Sequence, residues 1–214
     1  MLQIIQKSIA FLVPPVCPVC GENLIDPSRE LVCRDCFQKV SLSFTDSGRV
    51  RVAGRIPVYF PLVYNGPVKH MMHLFKFENF ESMGKFFARA MMSKLEEEGI
   101  DFDIVTYVPS HPARIREKGS YPTKFLAMEI SRMSGRPVKG LLRATRYKKS
   151  QISARDRREN IRGFFEAIDE IEVEGTVLLV DDVITTGSTM AEAGDVLYRA
   201  GHKKVVGITA AGKV

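Results

Sequence analysis

Hydrophobic residues follow two different periods after residue 55, and the two periods alternate along the chain. Short runs rich in β-branched and aromatic residues are typical of strands, whereas apolar residues every three or four positions are typical of amphipathic helices. The predicted strands are 56–64, 104–108, 177–180 and 205–210. The predicted helices are 67–75, 82–98, 122–133 and 188–200. Strands that alternate with helices predict an α/β fold with a parallel sheet, whose ligands bind at the carboxyl ends of the strands.

The first 55 residues have a different organisation. Residues 1–16 carry apolar side chains at helical spacing, which predicts a short amphipathic helix. The apolar stretch stops at Pro14, well short of the roughly 20 residues of a membrane span, and no signal-peptide cleavage pattern follows. We therefore expect a cytoplasmic protein without membrane insertion. The predicted units are an N-terminal module at 1–40, a polar linker at 41–55 and an α/β domain at 56–214.

All four cysteines fall in the N-terminal module, with the spacing Cys-x2-Cys-x12-Cys-x2-Cys. They are Cys17, Cys20, Cys33 and Cys36. Two close pairs of thiolates are the pattern of a tetrahedral structural Zn²⁺ site. Two disulfides are an alternative, although cytosolic thiols stay reduced, and a redox Cys-x-x-Cys would not need the second pair. His70 and His73 lie on a predicted helix, but no further ligand is placed to complete a second metal site.

Composition and charge narrow the functional classes. With 45% hydrophobic and 26% charged residues among 214, the chain has the composition of a folded globular protein rather than a disordered or membrane-spanning one. The formal charge of +6 is unevenly distributed, because residues 109–162 hold 15 Lys and Arg against 4 Asp and Glu. A basic central region in a chain that is otherwise acidic predicts one anion-binding face.

The most informative stretch is 177–189, V-L-L-V-D-D-V-I-T-T-G-S-T. A buried strand is followed by two carboxylates, a hydroxyl-rich loop and a predicted helix start, where backbone N–H groups favour an anion. The donors to a phosphate would be Thr185, Thr186, Gly187, Ser188 and Thr189. Asp181 and Asp182 suit the vicinal hydroxyls of a sugar, so ribose 5-phosphate fits the whole pattern. The simpler alternative is a solvated turn with an ordinary helix N-cap.

This order of residues resembles the phosphoribosyl pyrophosphate (PRPP) motif of the type I phosphoribosyltransferases. The resemblance implies a Rossmann-like parallel sheet with helices on both faces. It also implies a 5-phosphate bound by residues 185–189, ribose hydroxyls bound by Asp181 and Asp182, and Mg²⁺ carried by the pyrophosphate of the ligand. A Walker-type loop would need Gly-x4-Gly-Lys-[Ser/Thr], which this stretch lacks.

Over most of its length the chain is similar to the ComF family of competence-associated proteins, which join a cysteine module to a phosphoribosyltransferase domain. The matching positions outside the two motifs are 64–69, Lys76, Phe77, 108–114, Arg143, Thr145, Gln151, Arg158, Asn160, Ile161, Gly163 and Phe165. The resemblance implies a role in DNA uptake, with single-stranded DNA or a competence helicase as a partner.

Residues 108–118 follow a predicted strand, at the place of the pyrophosphate loop in this fold. The candidate ligand groups are Ser110, His111, Arg114, Arg116 and Lys118. Positive charge is needed there, because an oxocarbenium-like centre and a highly charged leaving group form when pyrophosphate departs. The alternative is a basic surface loop that binds nothing specific.

The loop departs from the family pattern at its end. The family usually continues Arg-Gly-Phe-Asn-Gln, whereas this chain has Lys-Gly-Ser-Tyr-Pro at 118–122. Lys118 keeps the positive charge of the family's arginine, and Gly119 keeps the flexible backbone. The Phe-Asn-Gln side chains are missing, so whatever they contact in the family cannot be inferred for this chain.

A second basic segment, 143–162, lies where this fold has a mobile flap. Its charge exceeds what one PRPP molecule can occupy, which favours an extended polyanion as a second partner. The candidate contacts are Arg143, Arg146, Lys148, Lys149, Arg155 and Arg158. Aromatic residues are sparse in this segment, so contact with a nucleic-acid backbone is more plausible than base stacking.

Three functions are compatible with these patterns. The first is a ComF-type protein that binds PRPP and Mg²⁺ and acts in natural competence. The second is an active phosphoribosyltransferase with an unidentified nitrogenous acceptor, and the third is a PRPP-sensing regulator. No residue is assigned a catalytic role by the sequence.

Overall fold

The computed structural model describes residues 15–26, 30–44, 50–52, 55–78, 80–111, 115–116, 121–145, 163–168 and 174–213. The predicted N-terminal helix lies almost entirely outside these ranges, because they begin at Pro15. Most of the basic segment 143–162 also lies outside them.

The four predicted strands are present with different extents, and the structure adds three strands that the pattern did not predict. The strands are β1 (Val50–Val52), β2 (Ile56–Tyr59), β3 (Leu62–Val63), β4 (Ile104–Tyr107), β5 (Leu142–Ala144), β6 (Phe165–Ala167), β7 (Thr176–Ile184) and β8 (Lys204–Gly212). The three additional strands are β1, β5 and β6. The predicted strand 56–64 is split into β2 and β3 around Pro61, which has no N–H to donate to a sheet. The predicted strand 177–180 continues to Ile184, because β8 runs beside it for the whole distance.

Six strands form the main sheet, in the order β1-β2-β8-β7-β4, with β3 also paired to β8. The pairs β2–β8, β3–β8, β8–β7 and β7–β4 are parallel, and β1 is antiparallel to β2. The register places Tyr107, the last residue of β4, opposite Val180. The loop after β4 therefore starts beside Asp181, at the carboxyl edge of the sheet.

Helices cover both faces of this sheet. They are α1 (Arg34–Ser41), α2 (Gly66–Phe77), α3 (Glu81–Glu97), α4 (Pro122–Ser134) and α5 (Ser188–Arg199). Alternate residues of β7 enter two separate hydrophobic clusters: Leu178 and Val180 join the cluster of α2, α3 and α4, whereas Val177 and Leu179 join that of α5. This is the Rossmann-like α/β arrangement that the motif implies, so the predicted fold class is confirmed.

The cysteine module packs directly on the α/β domain. Cys17, Cys33 and Cys36 are buried in the same hydrophobic cluster as α2 and α3. The segment predicted as a linker contributes to this packing, because Phe44 forms an antiparallel bridge with Leu62, and it also contains β1. The segment between the module and the domain is thus itself paired with strands of the domain.

Strands β5 and β6 form a separate antiparallel hairpin at the start and end of the basic segment. Phe165 of β6 and Leu142 of β5 belong to the hydrophobic cluster of α5. Within the described ranges, no helix has both the length and the apolar character needed to cross a membrane.

Candidate functional site

The loop after β7 leads into the N-terminus of α5 through a glycine. Gly187 has φ +77°, the left-handed region that glycine adopts without strain, and it is the N-cap of α5. Because glycine has no side chain, the N-cap itself forms no side-chain hydrogen bond with the first N–H groups of the helix. Thr186 Oγ1 and Ser188 Oγ lie 2.8 Å apart across this loop. A first turn without a side-chain cap is compatible with the predicted phosphate site, although the N-caps of α1, α2, α3 and α4 also form no side-chain hydrogen bond.

The two aspartates lie within β7, near its carboxyl end, rather than after it. Asp181 is buried, and its Oδ1 accepts a hydrogen bond of 2.8 Å from the backbone N–H of Asp182. Asp182 is more accessible, and its Oδ1 lies 2.7 Å from Lys76 Nζ. Two carboxylates therefore stand just before the phosphate loop, and one of them forms an ion pair with α2.

Sequence reasoning gave Lys76 no chemical role, although its position matched the family pattern. Lys76 lies in the last turn of α2, far from Asp182 along the chain. The periodicity of α2 identified its buried face but not the strand edge that its end approaches. The feature of the sequence that could have pointed to Lys76 was the Lys76-Phe77 pair, which matches the family pattern.

The predicted pyrophosphate loop begins beside the aspartates. The backbone N–H of Val108 donates to the carbonyl of Val180, which holds this loop against β7. Ser110 and His111 are partly exposed, and Arg116 is exposed. Arg114 and Lys118 lie outside the described residues.

Tyr121 lies in the part of the loop that departs from the family pattern, and it forms a hydrogen bond within the loop. Its hydroxyl oxygen accepts a hydrogen bond of 3.1 Å from the backbone N–H of Ser110. Its ring meets that of Tyr107 edge-on, with 5.4 Å between centroids. Burial raises the pKa of Tyr121 to about 12, although the Ser110 N–H opposes the shift. The hydroxyl is therefore neutral at physiological pH, and it engages one of the N–H groups expected to face a diphosphate.

The hairpin β5–β6 connects the basic segment to α5. Thr145 donates through Oγ1 to the carbonyl of Gly163 at 2.6 Å, and Glu192 of α5 accepts the N–H of Phe164 at 2.8 Å. Arg143 is exposed and forms a two-point ion pair with Glu166, with a shortest distance of 2.8 Å. The other predicted polyanion contacts lie outside the described residues: Arg146, Lys148, Lys149, Arg155 and Arg158.

The structure brings the four cysteines together. Their sulfur atoms all lie within 4.8 Å of one another, and all four are free thiols, unlike the disulfide alternative. Burial raises the pKa of the Cys17 thiol, but N–H groups of Cys33, Val19 and Cys20 outweigh this and lower it to about 7. Four sulfurs at this separation fit a tetrahedral ion with metal–sulfur distances of about 2.3 Å.

The two histidines of α2 serve other contacts. His70 Nε2 lies 3.1 Å from the carbonyl oxygen of Pro18, inside the first cysteine pair, and thereby ties the module to α2. His73 stacks on Phe77 with 4.7 Å between ring centroids. Of the residues that have described positions, the cysteines form the one cluster suited to a metal ion.

Comparison with known proteins finds similar sequences among proteins named for DNA utilization and for competence. No protein-family model matches it. The chain is 28% identical over 204 residues to the DNA utilization protein YhgH of Salmonella typhimurium, covering 89% of this chain and 81% of that protein. It is 27% identical over 152 residues to competence protein F of Haemophilus influenzae, covering 66% of each.

Solved structures with a related arrangement include two adenine phosphoribosyltransferases. The enzyme of Thermoanaerobacter pseudethanolicus gives a TM-score of 0.42 at 10% identity, covering 81% of this chain and 99% of that one. The enzyme of Saccharomyces cerevisiae gives 0.40 at 12% identity, covering 82% and 88%. The sequence relatives and the cysteine cluster together confirm the resemblance seen in the sequence: the chain is a homologue of YhgH and of competence protein F, and it joins a four-cysteine module to a parallel α/β domain.

Proposed function

We propose that this protein binds PRPP together with Mg²⁺ at the carboxyl edge of its sheet and acts in natural competence, handling single-stranded DNA in the cytoplasm. One observation carries the first half of the proposal. Asp181 and Asp182 lie near the end of β7, shortly before a loop whose glycine N-cap forms no side-chain hydrogen bond with the N-terminus of α5.

The parts of PRPP match the parts of this edge. Its 5-phosphate requires several neutral donors, which residues 185–189 supply with favourable helix dipole. Its ribose hydroxyls require acceptors, which the two carboxylates supply. Its diphosphate requires positive charge, and the basic loop after β4 begins next to Asp181.

Mg²⁺ fits the same chemistry. It is a hard cation that is usually bound through one or two carboxylates and the phosphates of a ligand. The diphosphate of PRPP would carry the ion, and Asp181 and Asp182 are the carboxylates next to it at this edge. When bound, Mg²⁺ neutralises the charge of the diphosphate.

Calorimetry tests the PRPP site. We expect wild-type protein to bind PRPP in buffer with Mg²⁺ and to lose most of this affinity when Mg²⁺ is omitted. Omission is preferable to a chelator, which would also remove zinc. The variant with Asp181→Asn and Asp182→Asn keeps the side-chain volumes but removes both charges, and we expect binding at least about 100-fold weaker. Asp195→Asn, at an exposed ion pair with Arg55, is the control. Undiminished binding in the double variant would refute the proposal.

The role in DNA handling rests on two separate supports. The relatives are named for DNA utilization and competence. The segment 143–162 also holds more positive charge than PRPP can occupy. Arg143 is its one cation within the described residues, and it forms an ion pair with Glu166. Lys148 and Lys149 are adjacent candidates for contact with a nucleic-acid backbone.

Salt dependence tests this role. We expect labelled single-stranded DNA to bind more weakly as salt rises, with a slope that falls by about 0.7 for each phosphate contact removed. Lys148→Gln with Lys149→Gln should reduce that slope, whereas Lys203→Gln with Lys204→Gln, a pair outside the basic segment, should not. Absence of DNA binding at low salt would refute direct handling of DNA.

We also propose that the cysteine cluster holds structural Zn²⁺. The four sulfurs leave no open coordination position, so the ion would stabilise the module rather than perform chemistry. Elemental analysis should give about one zinc per chain. Chelation should lower the melting temperature, because three of the cysteines pack into the cluster that contains α2 and α3. Retention of the full melting temperature after zinc removal would argue against this role.

A further inference from the structure

The ion pair between Lys76 and Asp182 gives the candidate site a cation that the sequence did not assign to it. Their charged atoms lie 2.7 Å apart, and the two side chains are 21% and 20% exposed. Both groups are therefore accessible to a ligand and only partly shielded from water. Lys76 approaches from α2, on the opposite side of Asp182 from α5, because α2 and α5 belong to different faces of the sheet.

The position of this ammonium relative to PRPP follows from the chemistry of the sugar. The hydroxyls proposed to bind the aspartates are on C2 and C3 of the ribose, and the diphosphate is on the neighbouring C1. With Asp182 at the C2 hydroxyl, a cation in contact with Asp182 lies close to the first phosphate of the diphosphate. Lysine has three N–H donors on a flexible four-carbon stem, so Nζ can hold Asp182 and a phosphate oxygen together.

A second observation points the same way. The loop after β4 has one of its backbone donors, the N–H of Ser110, bonded to Tyr121. A diphosphate beside this loop therefore meets one N–H group that is already engaged. A charged side chain from another element would supply part of the missing stabilisation.

We infer that Lys76 contacts the diphosphate of PRPP and makes the site prefer PRPP over ribose 5-phosphate. This inference rests on the proposed function, and it adds a residue from α2 to a site otherwise built from the loops after β4 and β7. Two other roles for Lys76 make different predictions. If it only orients Asp182, both ligands depend on it equally, and if it blocks Asp182, its removal strengthens binding of both.

The test compares two ligands across four proteins. Wild type, Lys76→Gln, Lys76→Arg and Lys69→Gln are titrated by calorimetry with PRPP and with ribose 5-phosphate, each with Mg²⁺. Lys69 is the matched control because it is an exposed lysine of the same helix. We expect Lys76→Gln to bind PRPP about ten- to hundredfold more weakly and ribose 5-phosphate within about twofold of wild type. Lys76→Arg should recover part of the PRPP affinity, and Lys69→Gln should match wild type with both ligands.

Each other result overturns the inference in a recognisable way. Equal weakening of both ligands would make Lys76 a positioning residue for Asp182, and tighter binding of either would make it a competitor. Unchanged PRPP binding in Lys76→Gln, with wild type binding normally, would remove the role of Lys76 while leaving the proposed function intact. If wild type binds neither ligand, the proposed function fails, and this inference fails with it. Thermal unfolding of each variant separates these results from loss of the fold.

Discussion

The two loops at the carboxyl edge of the sheet differ in how their polar groups are used. After β7, the helix N-cap is Gly187, and no side chain caps the first turn of α5. After β4, the N–H of Ser110 donates to Tyr121, and the carbonyl of Val108 accepts from Thr123 at 2.8 Å. The N-cap after β7 forms no side-chain hydrogen bond, whereas the described part of the loop after β4 satisfies some of its backbone groups internally.

This difference indicates how each loop can hold an anion. An open helix N-terminus binds a phosphate through preorganised backbone dipoles and needs no formal charge. A loop in which a backbone donor is already engaged, as the N–H of Ser110 is, gains more from charged side chains, whose attraction to an anion is screened by salt. The 5-phosphate is thus expected to be held rigidly after β7. The diphosphate is expected to be held by lysines and arginines around the loop after β4.

The largest effect is expected from a side chain at the glycine N-cap. Gly187→Ala places a Cβ on a residue with φ +77°, which costs about 1–2 kcal/mol of stability and displaces the backbone donors of the phosphate loop. We expect binding of both PRPP and ribose 5-phosphate to fall about 100-fold, since small displacements of positioning groups have effects of this size. Calorimetry measures the binding, and thermal unfolding measures the stability.

A matched control exists for this substitution. Gly99 follows α3, also has positive φ, at +63°, and has open space where a Cβ would be. Gly99→Ala should therefore show a similar loss of stability with unchanged ligand binding. If both variants bind PRPP as wild type does, the backbone N–H groups of the loop after β7 do not bind the 5-phosphate.

The same contrast explains which parts of the site sequence could predict. The loop after β7 is local: its strand, carboxylates, glycine and helix are contiguous, so spacing alone predicted their order. The ion pair of Lys76 with Asp182 is not local, because it depends on where the end of α2 meets the sheet. In the sequence, Tyr121 was only a departure from a family pattern. Its hydrogen bond to Ser110 depends on how the loop folds, which the sequence does not show.

The fold shows the same division between local and tertiary information. The helix periods predicted α2, α3, α4 and α5 to within about two residues, because each buries one continuous apolar face. The pairing of β8 with the polar end of β7 was not predictable from hydrophobicity, since Asp181 and Asp182 interrupt the apolar run. Strand β1 was missed for a similar reason, as it is a three-residue antiparallel edge strand within a polar stretch.

An intermediate effect is expected from removing a hydroxyl of the phosphate loop. Thr186→Val deletes the oxygen that lies 2.8 Å from Ser188 Oγ, together with one neutral donor to the phosphate. We expect both ligands to bind about three- to tenfold more weakly, as for one hydrogen bond between neutral groups. Thr186→Ser, which keeps the hydroxyl, should stay close to wild type in the same titrations. Equal losses in the two variants would show that shape, not hydrogen bonding, matters at this position.

The smallest effect is expected at Tyr121, and it has the opposite sign. Tyr121→Phe frees the N–H of Ser110, so the loop after β4 gains a backbone donor and becomes more like the loop after β7. We expect PRPP to bind up to about threefold more tightly, while ribose 5-phosphate, which has no diphosphate, binds as before. The loss of the internal hydrogen bond should cost about 0.5–1.5 kcal/mol of stability. Tyr107→Phe is the control, because that ring packs against Tyr121 at 5.4 Å but its hydroxyl is not the acceptor of the Ser110 N–H. Weaker PRPP binding in Tyr121→Phe would mean that the hydroxyl itself contacts the ligand, and the contrast between the two loops would then be wrong.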